Sequence, residues 1–231
     1  MAKLYGKKYT KAVEGLDLLK KYSTEEALEL VKKTNTAKFD GTVEVHVKLT
    51  TNPTKADQGI RSTTTLPNGT GKKVRVIAFV SEKDEKAATD AGADEVGTEK
   101  LIEKITKGWL AFDIAVATPD MMPKIAKVAK ILGSRGMMPN PKVGTVTPNF
   151  ADTIRDFKKG KIEFRADSLA GIHAGIGKVS FTTAQLKENF DTFVTALVAN
   201  KPSSVKGPLI KSIAISSTMG PGIKVETSKL G

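Results

Sequence analysis

The chain offers two imidazoles, His46 and His173, and no cysteine. Histidines can bind metal or move protons, but these two stand far apart without HExxH-type spacing. With no thiol available, a disulfide framework, a thiolate metal site and a cysteine nucleophile are all excluded, and no metal centre is expected. The run Asn68, Gly69, Thr70, Gly71, Lys72 resembles a phosphate loop. However, Leu66 stands where the first glycine belongs, Lys73 stands where Ser or Thr belongs, and the following segment reads as strand, so the helix N-terminus that would hold phosphate is missing. Gly175 and Gly177 do not extend to GxGxxG, and no GxSxG elbow occurs. Asp84 and Glu85 sit in a lysine-rich stretch that reads as a solvated helix face, not an acid-base pair. No enzymatic site is visible, and no cofactor is expected.

Three segments combine tight glycine turns with small polar groups and cations. In ILGSRGMMPNPKVGTVT, Ile131 to Thr147, glycines and prolines suggest a rigid loop presenting Arg135 and Lys142 to phosphate. In GIHAGIGKVSF, Gly171 to Phe181, His173 and Lys178 flank glycines that would let an RNA backbone come close. In ISSTMGPGIKV, Ser216, Ser217 and Thr218 can donate to phosphate, 2′-hydroxyl or base edges, with Met219 as an apolar surface and Gly220 and Gly222 permitting a sharp turn. The plain alternatives are an ordinary structured loop and a hairpin.

Charge supports a polyanionic partner. The net charge is +12 with a pI near 9.7, and the excess is spread evenly over thirds cut at residues 69 and 160. The acids are unevenly placed. None occurs between Asp120 and Asp152, where Lys124, Lys127, Lys130, Arg135 and Lys142 lie, nor between Asp191 and Glu226, which bracket Lys201, Lys206, Lys211 and Lys224. Solvated lysines on helices are the alternative. No apolar stretch approaches the roughly 20 residues of a membrane span, and the start MAKLYGKKYTKAVEGL has no apolar signal core. A cytoplasmic protein without a membrane partner is the expectation.

The elements that must position these residues follow from periodicity. STEEALELVKK, residues 23 to 33, begins with Ser23 and Glu26 spaced as a capping box. Thr42 to Leu49 alternates Val43, Val45, Val47 and Leu49 with Glu44, His46 and Lys48, as a half-buried strand does. After the breaker TTTLPNGTGKK the pattern changes: strand Val74 to Val80, helix Glu82 to Ala91, strand Phe112 to Ala117, helix Pro119 to Ile131. That alternation implies a parallel α/β sheet. Asn149 is expected to cap a helix through Asp152 to Lys158 that Gly160 ends, before a strand from Lys161 to Arg165. The last third reads as a strand around Lys178 to Phe181, a helix with Leu186, Phe190, Phe193 and Leu197 in the core and Pro202 beyond it, and a strand from Leu209 to Ser216. Domain boundaries fall near 69 and 160.

Together with AKFDGTVEVHVKL, Ala37 to Leu49, the three segments make the chain resemble the ribosomal protein L-one family over essentially its whole length. The phrase GMMPNPKVGTVT is the most specific part. The resemblance implies an α/β fold of two domains: a split α+β RNA-binding domain from both chain ends, 1–69 plus 161–231, and an inserted Rossmann-like three-layer α/β domain, 70–160. It implies a non-catalytic constituent of the large ribosomal subunit, monomeric when free, that binds large-subunit rRNA in the mobile stalk beside other ribosomal components. Such proteins assist release of exit-site tRNA and, in many bacteria, repress their own operon by binding its mRNA.

Carried over by motif, the RNA-binding residues are Lys38, Phe39, Thr42, Glu44, His173, Lys178, Ser216, Thr218, Met219 and Gly220, with Arg135 and Lys142 as a secondary basic loop. Glu44 can accept from 2′-hydroxyl or base amino donors. Phe39 reads as a stacking platform, with a core aromatic as the alternative. Two positions depart from the family pattern: Gly175 where relatives read IHAPIGK, and Asn68 where they read LPHGTGK. The competing classes are a nucleotide-binding enzyme using the middle sheet and a nonspecific DNA-compacting polycation.

Overall fold

The computed structural model describes residues 6–53 and 55–227; residues 1–5, part of the start segment read above for a signal core, lie outside them. The elements in chain order are α1 (Lys7–Ala12), α2 (Thr24–Lys33), β1 (Thr42–Leu49), β2 (Arg61–Thr65), β3 (Val76–Phe79), α3 (Glu85–Asp90), β4 (Glu95–Val96), α4 (Glu99–Thr106), β5 (Ile114–Ala117), α5 (Met122–Ile125), α6 (Ala129–Ser134), α7 (Phe150–Lys159), β6 (Lys161–Arg165), β7 (Gly171–Lys178), α8 (Thr183–Ala199), β8 (Ile210–Ser217) and β9 (Ile223–Val225). The described residues, of mixed α/β composition, divide into two compact units, one up to residue 71 and again from 162, the other of residues 72–161.

In the first unit, β7, β1, β8 and β9 form an antiparallel sheet in that order. The alternation in β1 sorts its side chains as expected: Val43, Val45, Val47 and Leu49 are buried and pack into one cluster with Leu28 and Val31 of α2 and Leu186, Phe190, Phe193 and Leu197 of α8. Each of those large side chains stabilises the fold by about 1.5–3 kcal/mol. Both helices start on complete capping boxes, Ser23 with Glu26 and Thr182 with Gln185, which satisfy backbone N–H groups that would otherwise be unpaired.

A polar residue holds the crossover out of this unit. Asn189 of α8 is fully buried; its carboxamide accepts from the Asn68 N–H at 3.1 Å and donates to the Gly69 and Ile176 carbonyls at 2.9 and 2.7 Å. The Asn68 side chain donates to Glu188 at 2.7 Å, which ties the crossover to the same helix. A second, two-stranded sheet pairs β2 with β6, where Arg61 meets Glu163 at 2.7 Å.

The second unit is built on a three-stranded parallel sheet, β4-β3-β5. Its central strand reads VIAF and is wholly buried, as a strand covered on both faces must be. Ile77, Phe79, Ala115 and Ala117 pack against α4, α5 and α6 on one side, while Val76, Ala78 and Val116 pack against α3 and α7 on the other. Two carboxylates fasten the start of β3. Asp113 accepts from the Arg75 N–H and from Lys72, and Asp94 accepts from the Val76 N–H and from Lys158. Partial burial works against both charges, but these donors prevail and hold both carboxyls below their ordinary range.

Several sequence expectations need correction. The strand expected around Lys178 to Phe181 is a turn, because the strand lies earlier, at Gly171–Lys178; its glycines disguised it as a loop. The helix expected from Pro119 to Ile131 is broken into α5, α6 and 3-10 turns at Pro119–Met121 and Ala126–Val128; Pro123 brings no N–H for an α bond back to Pro119, which accounts for the first break. The helix expected from Glu82 begins only at Glu85. Asn149 occupies the N-cap position of α7 without a capping side-chain bond, whereas Gly160 ends that helix in the left-handed region as expected.

Candidate nucleic-acid interface

The face of the large sheet opposite the core is polar, and strand register sets its rows. Thr42 lies opposite Lys178; Glu44 lies between Gly175 and Ser216; His46 lies between His173 and Ala214; Lys48 lies between Gly171 and Ser212. A bulge between Val43 and Glu44 skips Ile176. Such a bulge re-aims the strand locally, and it leaves Gly175 beside Glu44. A Cβ on Gly175 would lie 3.2 Å from the Thr42 methyl, so any larger residue there presses on Thr42.

One end of the face is closely tied. The Thr42 N–H donates to the Thr218 hydroxyl at 2.9 Å, and Lys178 donates to the Thr42 hydroxyl at 2.9 Å. Asp40 accepts from the Ser180 N–H and hydroxyl at 3.0 and 2.8 Å, which pins the loop carrying Lys38 and Phe39 to the turn after β7. Phe39 is 56% exposed and Met219 is 74% exposed. The core alternative for Phe39 is thereby set aside. Met219 also sits at φ 65°, a left-handed conformation that costs a side-chain-bearing residue about 1–2 kcal/mol. Residues held in that region cluster at ligand clamps and active sites, where the surrounding structure must hold them.

Beneath this turn, Ser217 faces inward, and its hydroxyl is buried without a partner among the described residues. It is therefore not the outward donor that sequence suggests, although Ser216 and Thr218, on the other parity of the strand, remain at the face. Gly220 has a steric reason to be glycine: a Cβ there would lie 2.3 Å from the Ser217 hydroxyl oxygen. Gly171 and Gly177 likewise make room for this chain's own side chains, Asp167 in one case and Leu186 and Phe181 in the other.

Across the middle of the face runs a chain of four side chains. Ser216 Oγ lies 3.0 Å from His46 Nε2, His46 Nδ1 lies 2.9 Å from His173 Nδ1, and His173 Nε2 lies 3.4 Å from Asp167. Burial lowers the His46 pKa from its ordinary value, reinforced by the His173 charge and opposed by Glu44. Asp167 accepts from the Gly171 and Leu169 N–H groups at 2.6 and 2.8 Å, and these bonds, with His173, hold its carboxyl below the usual range. Lys48 donates to the Leu169 carbonyl.

Of the residues expected to bind RNA, Thr42, Glu44, His173, Lys178, Ser216 and Thr218 thus share one face, with Lys38, Phe39, Met219 and Gly220 on the turns at its end. Arg135 and Lys142 are exposed in the other unit, the first at the end of α6 and the second in the 3-10 turn Pro141–Val143, where Asn140 accepts from the Lys142 N–H at 2.8 Å. Sequence reasoning placed His46 and Lys48 on the polar side of β1 but did not count them among the RNA-binding residues. The signal was present, since both alternate with the buried valines and so share the face of Glu44. A polar sheet face edged by an exposed aromatic ring can hydrogen-bond and stack unpaired bases.

A model described as the Ribosomal protein L1p/L10e family matches residues 31–221. The chain belongs to this family. Two proteins called Large ribosomal subunit protein uL1, from two strains of Lactobacillus delbrueckii subsp. bulgaricus, are each 50% identical to it over 222 residues, 96% of this chain and 96% of theirs. The Ribosomal protein L1p/L10e match takes in all ten residues expected to bind RNA at this face and its turns, from Lys38 to Gly220. The Ribosomal protein L1p/L10e family is one of structural ribosomal proteins, which settles the question of an enzyme against catalysis. No helix among the described residues is long and apolar enough to cross a membrane.

Proposed function

We propose that this chain is a constituent of the large ribosomal subunit, in the cytoplasm, and that it binds large-subunit rRNA directly as the protein of the mobile stalk. The observation that carries the reading is the polar sheet face of Glu44, His46, His173 and Ser216, flanked by the exposed Phe39 and Met219. The RNA reader is the domain of residues 1–69 plus 161–231. Residues 70–160 form an inserted Rossmann-like domain, and Arg135 and Lys142 there serve as a secondary basic surface. In this role Thr42, Lys178, Ser216 and Thr218 order the sugar-phosphate backbone, and Glu44 selects 2′-hydroxyl or base amino donors. Phe39 stacks on a base, and Lys38 adds charge. On this reading the same surface also binds the chain's own operon mRNA and so represses it. From the stalk the chain would also take part in releasing exit-site tRNA.

The test is a titration of a fluorescent stalk fragment of large-subunit rRNA, a scrambled RNA and duplex DNA, each at two salt concentrations, since phosphate contacts are salt-dependent. Preference for the stalk fragment that survives the higher salt is the expected result. Equal binding to all three, collapsing with salt, would reduce the protein to a generic polycation.

A further inference from the structure

The four-member chain Ser216, His46, His173, Asp167 spans β8, β1, β7 and the turn before β7, and its geometry restricts where protons can sit. The two histidines meet Nδ1 to Nδ1 at 2.9 Å, so a single proton lies between them. Asp167, held as a carboxylate by two backbone N–H groups, calls for a donor on His173 Nε2. When both rings are neutral, that assignment leaves His173 Nδ1 bare, so His46 must carry its proton on Nδ1. His46 Nε2 is then an acceptor, and the Ser216 hydroxyl must donate to it. Every hydrogen bond points one way, from Ser216 to Asp167.

One added proton reverses two of the links. His173 carrying both protons donates to Asp167 through Nε2 and to His46 through Nδ1. His46 stays neutral, moves its single proton to Nε2, and donates to Ser216 Oγ, with Glu44 3.9 Å away on the same side. The Ser216 hydroxyl now accepts from His46, and its own hydrogen is free to point out of the face. Two protons on the pair would set donor against donor, so the chain accommodates one.

We infer that His46 is a positioning residue that couples protonation of His173 to the hydrogen-bonding sense of Ser216, so that the face gains an outward hydroxyl donor for phosphate or ribose oxygen as pH falls. This rests on the RNA-binding reading above. The charged groups facing the pair are Glu44 and Lys48 on β1, Lys178 on β7, Asp167 in the turn before it and Lys224 on β9 beyond Ala214. Of these, Asp167 and Glu44 favour the protonated arrangement and the lysines oppose it. The depressed pKa of His46 agrees with its staying neutral.

Two measurements on the full chain test the inference separately from the RNA reading. Nitrogen-15 NMR of the histidine rings, without RNA, is expected to show His46 changing from the Nδ1–H to the Nε2–H tautomer, without becoming charged, over the span in which histidines titrate, about pH 8 to 5. An unchanged His46 tautomer, or direct charging of His46, overturns the relay. Second, affinity for the stalk fragment is measured over the same span for the wild type, Ser216→Ala and His46→Gln. The charge on His173 raises affinity for any polyanion, so the informative quantity is how far Ser216→Ala diminishes the gain. Loss of the Ser216 share is expected to shrink it by about threefold to tenfold, the worth of one hydrogen bond, and His46→Gln should shrink it similarly. A Ser216→Ala gain equal to the wild type's overturns the coupling. Should the wild type fail to bind the fragment at every pH, the RNA reading fails while the NMR result still decides the relay.

Discussion

The Thr218 hydroxyl accepts a hydrogen bond from the Thr42 N–H at 2.9 Å, and the Thr218 N–H returns one to the Thr42 carbonyl at 2.9 Å. The side chain thus substitutes for a ladder bond at the strand end. Thr218→Val keeps the shape and removes the acceptor, leaving a half-buried N–H unpaired, so RNA affinity should fall by about 1–3 kcal/mol with the protein still folded. Thr218→Ser keeps the hydroxyl and should retain most of that affinity. Binding titrations of both variants check this, and equal affinity for Val and wild type would remove Thr218 from the interface.

Gly220 and Ser217 should behave as a coupled pair. Gly220→Ala places a methyl against the buried Ser217 hydroxyl oxygen, and overpacking of this kind costs about 1–3 kcal/mol. Ser217→Ala removes that oxygen. The double variant should therefore recover much of the stability and affinity lost by Gly220→Ala alone. A double-mutant cycle in urea unfolding measures the coupling, and simple additivity would contradict it.

Asn189→Leu deprives the Asn68 N–H and the Gly69 and Ile176 carbonyls of their partner in one step. Unsatisfied buried groups cost about 1–3 kcal/mol each, so a drop of about 3 kcal/mol in unfolding free energy is expected. A denaturation midpoint within error of the wild type's would show that the crossover is held by other contacts.

Acid should weaken the unit of residues 72–161 through Asp94 and Asp113. Both have folded pKa values below their ordinary ones, despite the opposing burial, because of backbone and lysine donors. Their contribution is present above the ordinary carboxylate range and is lost as pH falls through the depressed folded values, that is below about pH 4. Both groups are partly solvated, so the loss is modest. Asp113→Asn should lower stability at neutral pH and flatten this acid limb; an unchanged pH profile of amide exchange in β3 would count against it.

Lys142→Ala should leave affinity for the isolated stalk fragment nearly unaltered, since the proposed reader is the unit made from the chain ends. A tenfold loss would mean that the inserted unit also grips the fragment.

Local chemistry was legible in the sequence wherever neighbours along the chain decide it. The alternation of Val43, Val45, Val47 and Leu49 gave β1 with its ends at Thr42 and Leu49, and Ser23 with Glu26 gave the start of α2. Leu186, Phe190, Phe193 and Leu197 gave the buried stripe of α8. Glycine misled in β7, because Gly171 and Gly177 are small for the sake of Asp167, Leu186 and Phe181, which only packing brings near. The candidate RNA-binding residues came from local motifs and from resemblance, and most of them do meet on one face.

Their joint behaviour was decided by tertiary structure. His46 and His173 are 127 residues apart, and neither residue's neighbours signal that the rings will touch. They meet because β1 pairs with β7 in a register that sets them opposite one another, while β8 brings Ser216 to the other side. A one-residue slip in either pairing would send these side chains to opposite faces. Composition and periodicity fix which residues seek water and which seek the core, whereas the identity of a side chain's partner across a sheet depends on strand register, and register is fixed only when the whole core closes.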